Sequence, residues 1–208
     1  MGAGGAALGE LLSALPLPAP ARDELRRRLL APGRHYHGAE HVGLLWRRHR
    51  LLSRGTPFRA PRLERLIALA IAFHDAVYEP GRHDNEASSA ALFRRRARGH
   101  LPRGEVRWVE GTILATADHL GTPPTRRTAP QERARLWVLD LDLTPLGERP
   151  AVFARNTRAL RCEQGTAWEA GCASFLARAA AARPLYRTPR IEARFGVRAR
   201  ANLAHRLS

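Results

Sequence analysis

Apolar residues recur at intervals of three and four along almost the whole of this chain, and no stretch alternates apolar with polar for more than a few residues. That periodicity puts one apolar face on each of a series of helices and leaves no candidate for a half-buried strand. Pro- and Gly-rich breaks cut the pattern at "APGR", "SRGTP", "EPGRHD", "GHLPRG", "GTPPTRRTAP" and "RPLYRTP". Helices are therefore predicted over about 21–31, 38–53, 61–78, 84–98, 103–120, 130–146, 150–164, 167–182 and 190–206, with Asp84 as an N-cap. The reading is an all-α, multi-helix bundle. With 208 residues the chain suits a single helical domain over 1–208, in which residues 1–20 form a loosely packed N-terminal segment. The longest break, 120–130, is rich in Pro, Thr and Arg and reads as a mobile loop.

Charge narrows the partners less than its size suggests. The net charge is +16, from 35 basic and 19 acidic residues, and every basic residue is Arg. Selection for phosphate binding rarely abolishes Lys, which also binds phosphate, whereas GC-rich codon usage does. The charge favours an anionic ligand over a cationic one and does not by itself imply nucleic acid. Cys162 and Cys172 have no Cys-x-x-Cys spacing, so neither a disulfide framework nor a zinc knuckle is expected, and a reducing cytoplasm fits. The N-terminal stretch "MGAGGAALGELLSALPLPAP" lacks a basic region and is broken by Glu10 and three prolines, so it reads neither as a signal peptide nor as a membrane span. The myristoylation pattern fails at Ala6, and "GAGGAALG" follows no strand as a phosphate loop would.

Four apolar helices carry acids or imidazoles among their apolar residues. Eight apolar residues, Leu66 to Phe73, run directly into His74 and Asp75. "GTILATADHL" ends with Asp118 and His119, "LWVLDLDLTPLG" holds Asp140 and Asp142, and "YHGAEHVGLLW" places His37 and His41 four apart on one face. Buried charges are paired or coordinate metals. Imidazole with carboxylate and without thiolate suits a divalent Mn, Fe, Co, Ni, Zn or Mg ion. Asp140 and Asp142 lie about 200° apart around a helix, so only one of them can face a given site.

The order of these residues carries a resemblance. "RHYHGAEHV", "AFHDAVYEPGRHDNEASSA", "ILATADH", "VLDLDLTPLG" and "ARANLAHRL" resemble, in sequence, the blocks of a bacterial subgroup of predicted phosphohydrolases in the HD-domain superfamily. The likeness spans about residues 34–206 and departs at Asp118, where the subgroup often carries a second histidine. It implies metal ligation by His41, His74, Asp75 and Asp142, with Asp140 as the competitor for the fourth place. It also implies hydrolysis of a small phosphorylated metabolite, nucleotides included. In that scheme Asp75 is ligand and proton acceptor, His37 and His119 stabilise charge on the phosphate, and Arg34 contacts the substrate. The alternative is a non-catalytic nucleotide- or RNA-binding module on the same scaffold, motivated by the net charge. The absence of an aromatic-rich basic segment ranks it second.

Overall fold

The computed structural model describes residues 3–121, 129–165 and 168–207, and among these it contains helices and no strand. The expected mobile loop falls largely on residues 122–128, which lie outside the described residues. The helices are α1 (Ala3–Ala14), α2 (Ala19–Leu29), α3 (Ala39–Leu52), α4 (Pro61–Phe73), α5 (Asn85–Ala97), α6 (Arg103–Ala115), α7 (Pro130–Leu143), α8 (Pro150–Gln164), α9 (Trp168–Ala181) and α10 (Pro189–Leu207). The all-α reading therefore holds. None of these helices is long and apolar enough to cross a membrane.

The chain divides into two units, Met1–Ala117 and Asp118–Ser208. In the first, α4 packs against α1, α3, α5 and α6. A helix surrounded on all sides must be apolar all round. That is why Leu66 to Phe73 are eight consecutive buried residues rather than a stripe. The α4 helix stops at Phe73, five residues before the expected end at Tyr78. His74 keeps helical dihedrals as the C-cap, and Asp75 to Tyr78 turn away. The doublet thus sits at the mouth of a buried helix instead of on its side. Helix α6 likewise ends at Ala115, not at 120. Thr116 donates its hydroxyl to the Ile113 carbonyl at 2.6 Å, and a 3-10 turn, Thr116–Asp118, follows.

The N-terminal segment corrects the sequence reading. Instead of packing loosely, α1 buries Leu8, Leu11 and Leu12, with Leu15 just beyond its end. It lies against α3 and α4. Glycines make the approach possible: a Cβ on Gly43 would meet the Gly4 carbonyl oxygen at 2.6 Å.

Buried in α3 of the same unit is His49, whose ring stacks on Trp46 with centroids 5.3 Å apart. Burial, reinforced by Arg59 and Arg50, lowers its pKa to about 3. An unfolded histidine binds its proton with a pKa of about 6.5. Between those values the unfolded chain takes up a proton that the folded one refuses, so stability falls as pH drops. The expected loss is about 2 kcal/mol between pH 7 and pH 5. Urea melts at the two pH values, with chelator present, should show that loss in the wild type and a smaller one in His49→Gln. Equal losses would show that His49 protonates freely in the folded state.

In the second unit α10 packs against α9 and against a 3-10 turn, Thr144–Gly147, that extends α7; α8 packs on α9 and on the same turn. Helix α7 ends at Leu143 rather than 146 because Pro145 follows closely. Trp137 on α7 is fully buried. Trp137→Ala should destabilise the protein by about 3–5 kcal/mol. A loss below about 1 kcal/mol in denaturant melts would contradict the burial of Trp137.

Candidate metal centre

Two segments of the first unit supply the centre. The first turn of α3 presents His41, and the end of α4 presents His74 and Asp75; all three are buried. Nε2 of His74 lies 3.4 Å from Nε2 of His41 and 2.9 Å from Oδ2 of Asp75. Nε2 of His41 lies 3.7 Å from the same oxygen. Two imidazoles and one carboxylate therefore converge on a single point.

The tautomer of His74 follows from its other nitrogen. Nδ1 lies 2.9 Å from the Ile71 carbonyl oxygen, which can only accept, so Nδ1 carries the proton and donates it. In the neutral ring Nε2 then holds a lone pair, and it faces the Asp75 oxygen. That oxygen is buried and accepts no well-aligned hydrogen bond. Two lone-pair bearers at 2.9 Å repel unless positive charge lies between or upon them. The charge is either a second proton on an imidazole or a metal ion. A His Nδ1–H bonded to a backbone carbonyl, with Nε2 aimed at the centre, is the usual orientation of a metal-bound histidine. The donor set fits a divalent cation, and His41 and His74 both belong to a group able to hold one.

Electrostatics at Asp75 run two ways. Burial pushes its carboxyl up, but His74, His37 and His41 together outweigh burial and hold it below the usual carboxylate range. That direction favours the carboxylate form of Asp75, which suits a ligand more than a proton acceptor.

His37, expected at the phosphate, is half-buried and stacks on Tyr78 with ring centroids 4.3 Å apart and planes at 24°. Tyr36 lies against both His37 and His41, its centroid 5.0 Å from each. Arg34, expected at the substrate, is placed differently. Its Nη1 donates to the carbonyls of His37 (2.7 Å) and Asp75 (2.5 Å), and its Nη2 donates to that of Ala76 (3.2 Å). Sequence reasoning missed this brace because nothing in the local sequence distinguishes a guanidinium on carbonyls from one on solvent.

It also missed how the loop after the doublet is held. Asn85 accepts from the Glu79 N–H at 2.9 Å and donates to the Glu79 carbonyl at 3.0 Å, while Ser89 accepts from and donates to the backbone of Val77. Asp84 occupies the N-cap position of α5 but makes no capping bond; its carboxylate pairs with Arg82.

The remaining expected residues lie in the second unit. His119 Nε2 is 2.6 Å from Oδ2 of Asp142, a close imidazole–carboxylate pair. Asp118 pairs with Arg178 at 2.6 Å. Asp140 is fully buried, accepts the Thr188 backbone N–H at 2.5 Å and faces Arg187 at 3.4 Å. Thr188 immediately precedes α10, so Asp140 satisfies a backbone donor at that helix entry. The two aspartates of "LDLDL" therefore have different partners, as their angular separation on α7 requires.

No family model matches the chain, and no match is found among curated proteins or solved structures.

Proposed function

We propose that the protein is a metal-dependent phosphohydrolase acting on a small phosphorylated metabolite, with nucleotides the first class to test. The observation that carries this reading is the convergence of His41 Nε2, His74 Nε2 and Asp75 Oδ2, with the His74 tautomer set by Ile71. The resemblance adds Asp142 as the fourth ligand, and the His119 imidazole on its carboxylate is then the partner that orients it. A divalent cation at such a centre polarises a phosphoryl oxygen and makes a water acidic enough to attack phosphorus at neutral pH.

The chain's own residues do the rest. His41 and His74 present their Nε2 atoms from two helices packed on each other, so the donor atoms are preorganised. Asp75, whose carboxyl is held below the usual range, contributes the negative charge that attracts a cation. His37 has its ring face against Tyr78 and its centroid 6.1 Å from that of His41, so its edge can donate to an anionic oxygen at this centre.

Metal analysis of protein purified without chelator, followed by a phosphate-ester screen with the metal found, tests the proposal. The expected result is stoichiometric divalent metal and metal-dependent release of phosphate. Metal-free protein that gains no hydrolysis with any of the six candidate ions, and binds oligonucleotide with steep salt dependence, would favour the binding-module alternative.

A further inference from the structure

The Arg34 guanidinium bonds three backbone carbonyls from two segments far apart in sequence. His37 O belongs to the loop leading into α3, and Asp75 O and Ala76 O belong to the turn that ends α4. The first segment delivers His41; the second carries His74 and Asp75. Carbonyls just past a helix C-terminus have no intrahelical donor, so they need a partner from elsewhere. A planar fork with several N–H groups can meet such acceptors at fixed angles, and the ammonium of a lysine cannot. Tyr78, further along the same turn, lies with its ring centroid 5.9 Å from the Arg34 guanidinium carbon and stacks on His37, so the two segments are joined by ring contact as well.

We propose that Arg34 is the positioning residue of this centre: its guanidinium locks the register between the His41 segment and the His74–Asp75 turn, and it does not contact the phosphate. The inference rests on the metal reading above for its functional consequence, though not for its geometry. With three carbonyls as acceptors, the guanidinium is oriented toward the backbone of the turn, and the imidazoles acquire their 3.4 Å spacing from the segments it joins. The residue therefore acts through His41 and His74.

The test compares Arg34→Met, Arg34→Lys and a control, Ile113→Ala, which opens a cavity in the buried face of α6, outside both segments in sequence, and should lower the melting temperature. Two readouts are taken. The first is the imidazole ¹H–¹⁵N spectrum of the metal-free protein. The second is Co²⁺ affinity, with the visible d–d bands of the bound ion. Arg34→Met and Arg34→Lys should both shift the His41 and His74 imidazole signals and weaken Co²⁺ at least tenfold with altered bands. Ile113→Ala should do neither.

If Arg34→Lys behaves as wild type, positive charge suffices and the fork has no positioning role. If Arg34→Met keeps imidazole signals and Co²⁺ affinity but raises KM for a phosphate ester, Arg34 contacts substrate and the inference is overturned. If Ile113→Ala weakens Co²⁺ as much as Arg34→Met, the effect is one of stability alone, and the inference again fails. A wild type that binds no Co²⁺ would sink the metal reading, while the imidazole spectrum would still decide the clamp.

Discussion

Asp75→Ala is expected to abolish metal binding and phosphate-ester hydrolysis while leaving the helices formed. Asp75 lies beyond the last residue of α4, so its truncation removes no helical hydrogen bond, and its carbonyl can still accept from Arg34. What is lost is a carboxylate that both imidazoles face, at 2.9 and 3.7 Å. A ligand that binds only the folded state stabilises it by mass action, about 4 kcal/mol when present at a thousand times its dissociation constant. In a protein of this length each kcal/mol moves the melting temperature by about 2–4 °C. Chelation should therefore lower the melting temperature of the loaded wild type clearly and leave that of Asp75→Ala almost unchanged. Circular dichroism of the two proteins should superimpose. Full metal occupancy in Asp75→Ala, or an equal response of both proteins to chelator, would show that the doublet holds no metal.

The helices were legible because their apolar faces are local patterns, and their ends were not, because the ends are set by distant residues. Residues 74–78 contain nothing that forbids a helix. The chain nevertheless leaves α4 after Phe73, where Arg34 takes the carbonyls of Asp75 and Ala76 and Ser89 takes both backbone groups of Val77. Those bonds span 12 to 42 positions, and no propensity encodes them. Helix α1 was hidden for a similar reason. Its glycines argue against a helix in isolation, yet the approach of α1 to α3 leaves no room for a Cβ at Gly43 and little at Gly4, which would meet Glu40. Of the candidate centre, His74 and Asp75 stand out in the sequence because a buried helix that runs into an imidazole and a carboxylate demands a partner for them, whereas His41 is singled out only through the order of motifs that carries the resemblance. The roles of Arg34, Asn85 and Ser89 could not be read, since polar side chains bonded to backbone leave no spacing pattern.

Asp140 and Asp142 should fail in opposite ways when truncated. Asp142→Ala is expected to remove metal and activity, and with chelator present to change stability by only about 1 kcal/mol, since its imidazole partner His119 is not deeply buried and can turn to water. Asp140→Ala should leave metal stoichiometry intact and destabilise the fold by about 3 kcal/mol. Burial pushes the Asp140 carboxyl up, and the bonds from Thr188 and Arg187 only partly offset it, so the carboxylate is held at a desolvation cost. That cost does not make its removal harmless. Ala at 140 withdraws the acceptor of the Thr188 N–H at the entry of α10 and the carboxylate facing the largely buried Arg187, and both groups stay behind. Replacing both members of such a pair with apolar residues is often neutral, whereas removing one leaves uncompensated polarity in the interior. Asp140→Asn, which preserves an acceptor for Thr188, should recover part of the loss. Denaturant melts and metal analysis on the three variants separate the cases. Lost metal in Asp140→Ala with full metal in Asp142→Ala would exchange their roles, and full metal in both would place the fourth ligand outside this helix.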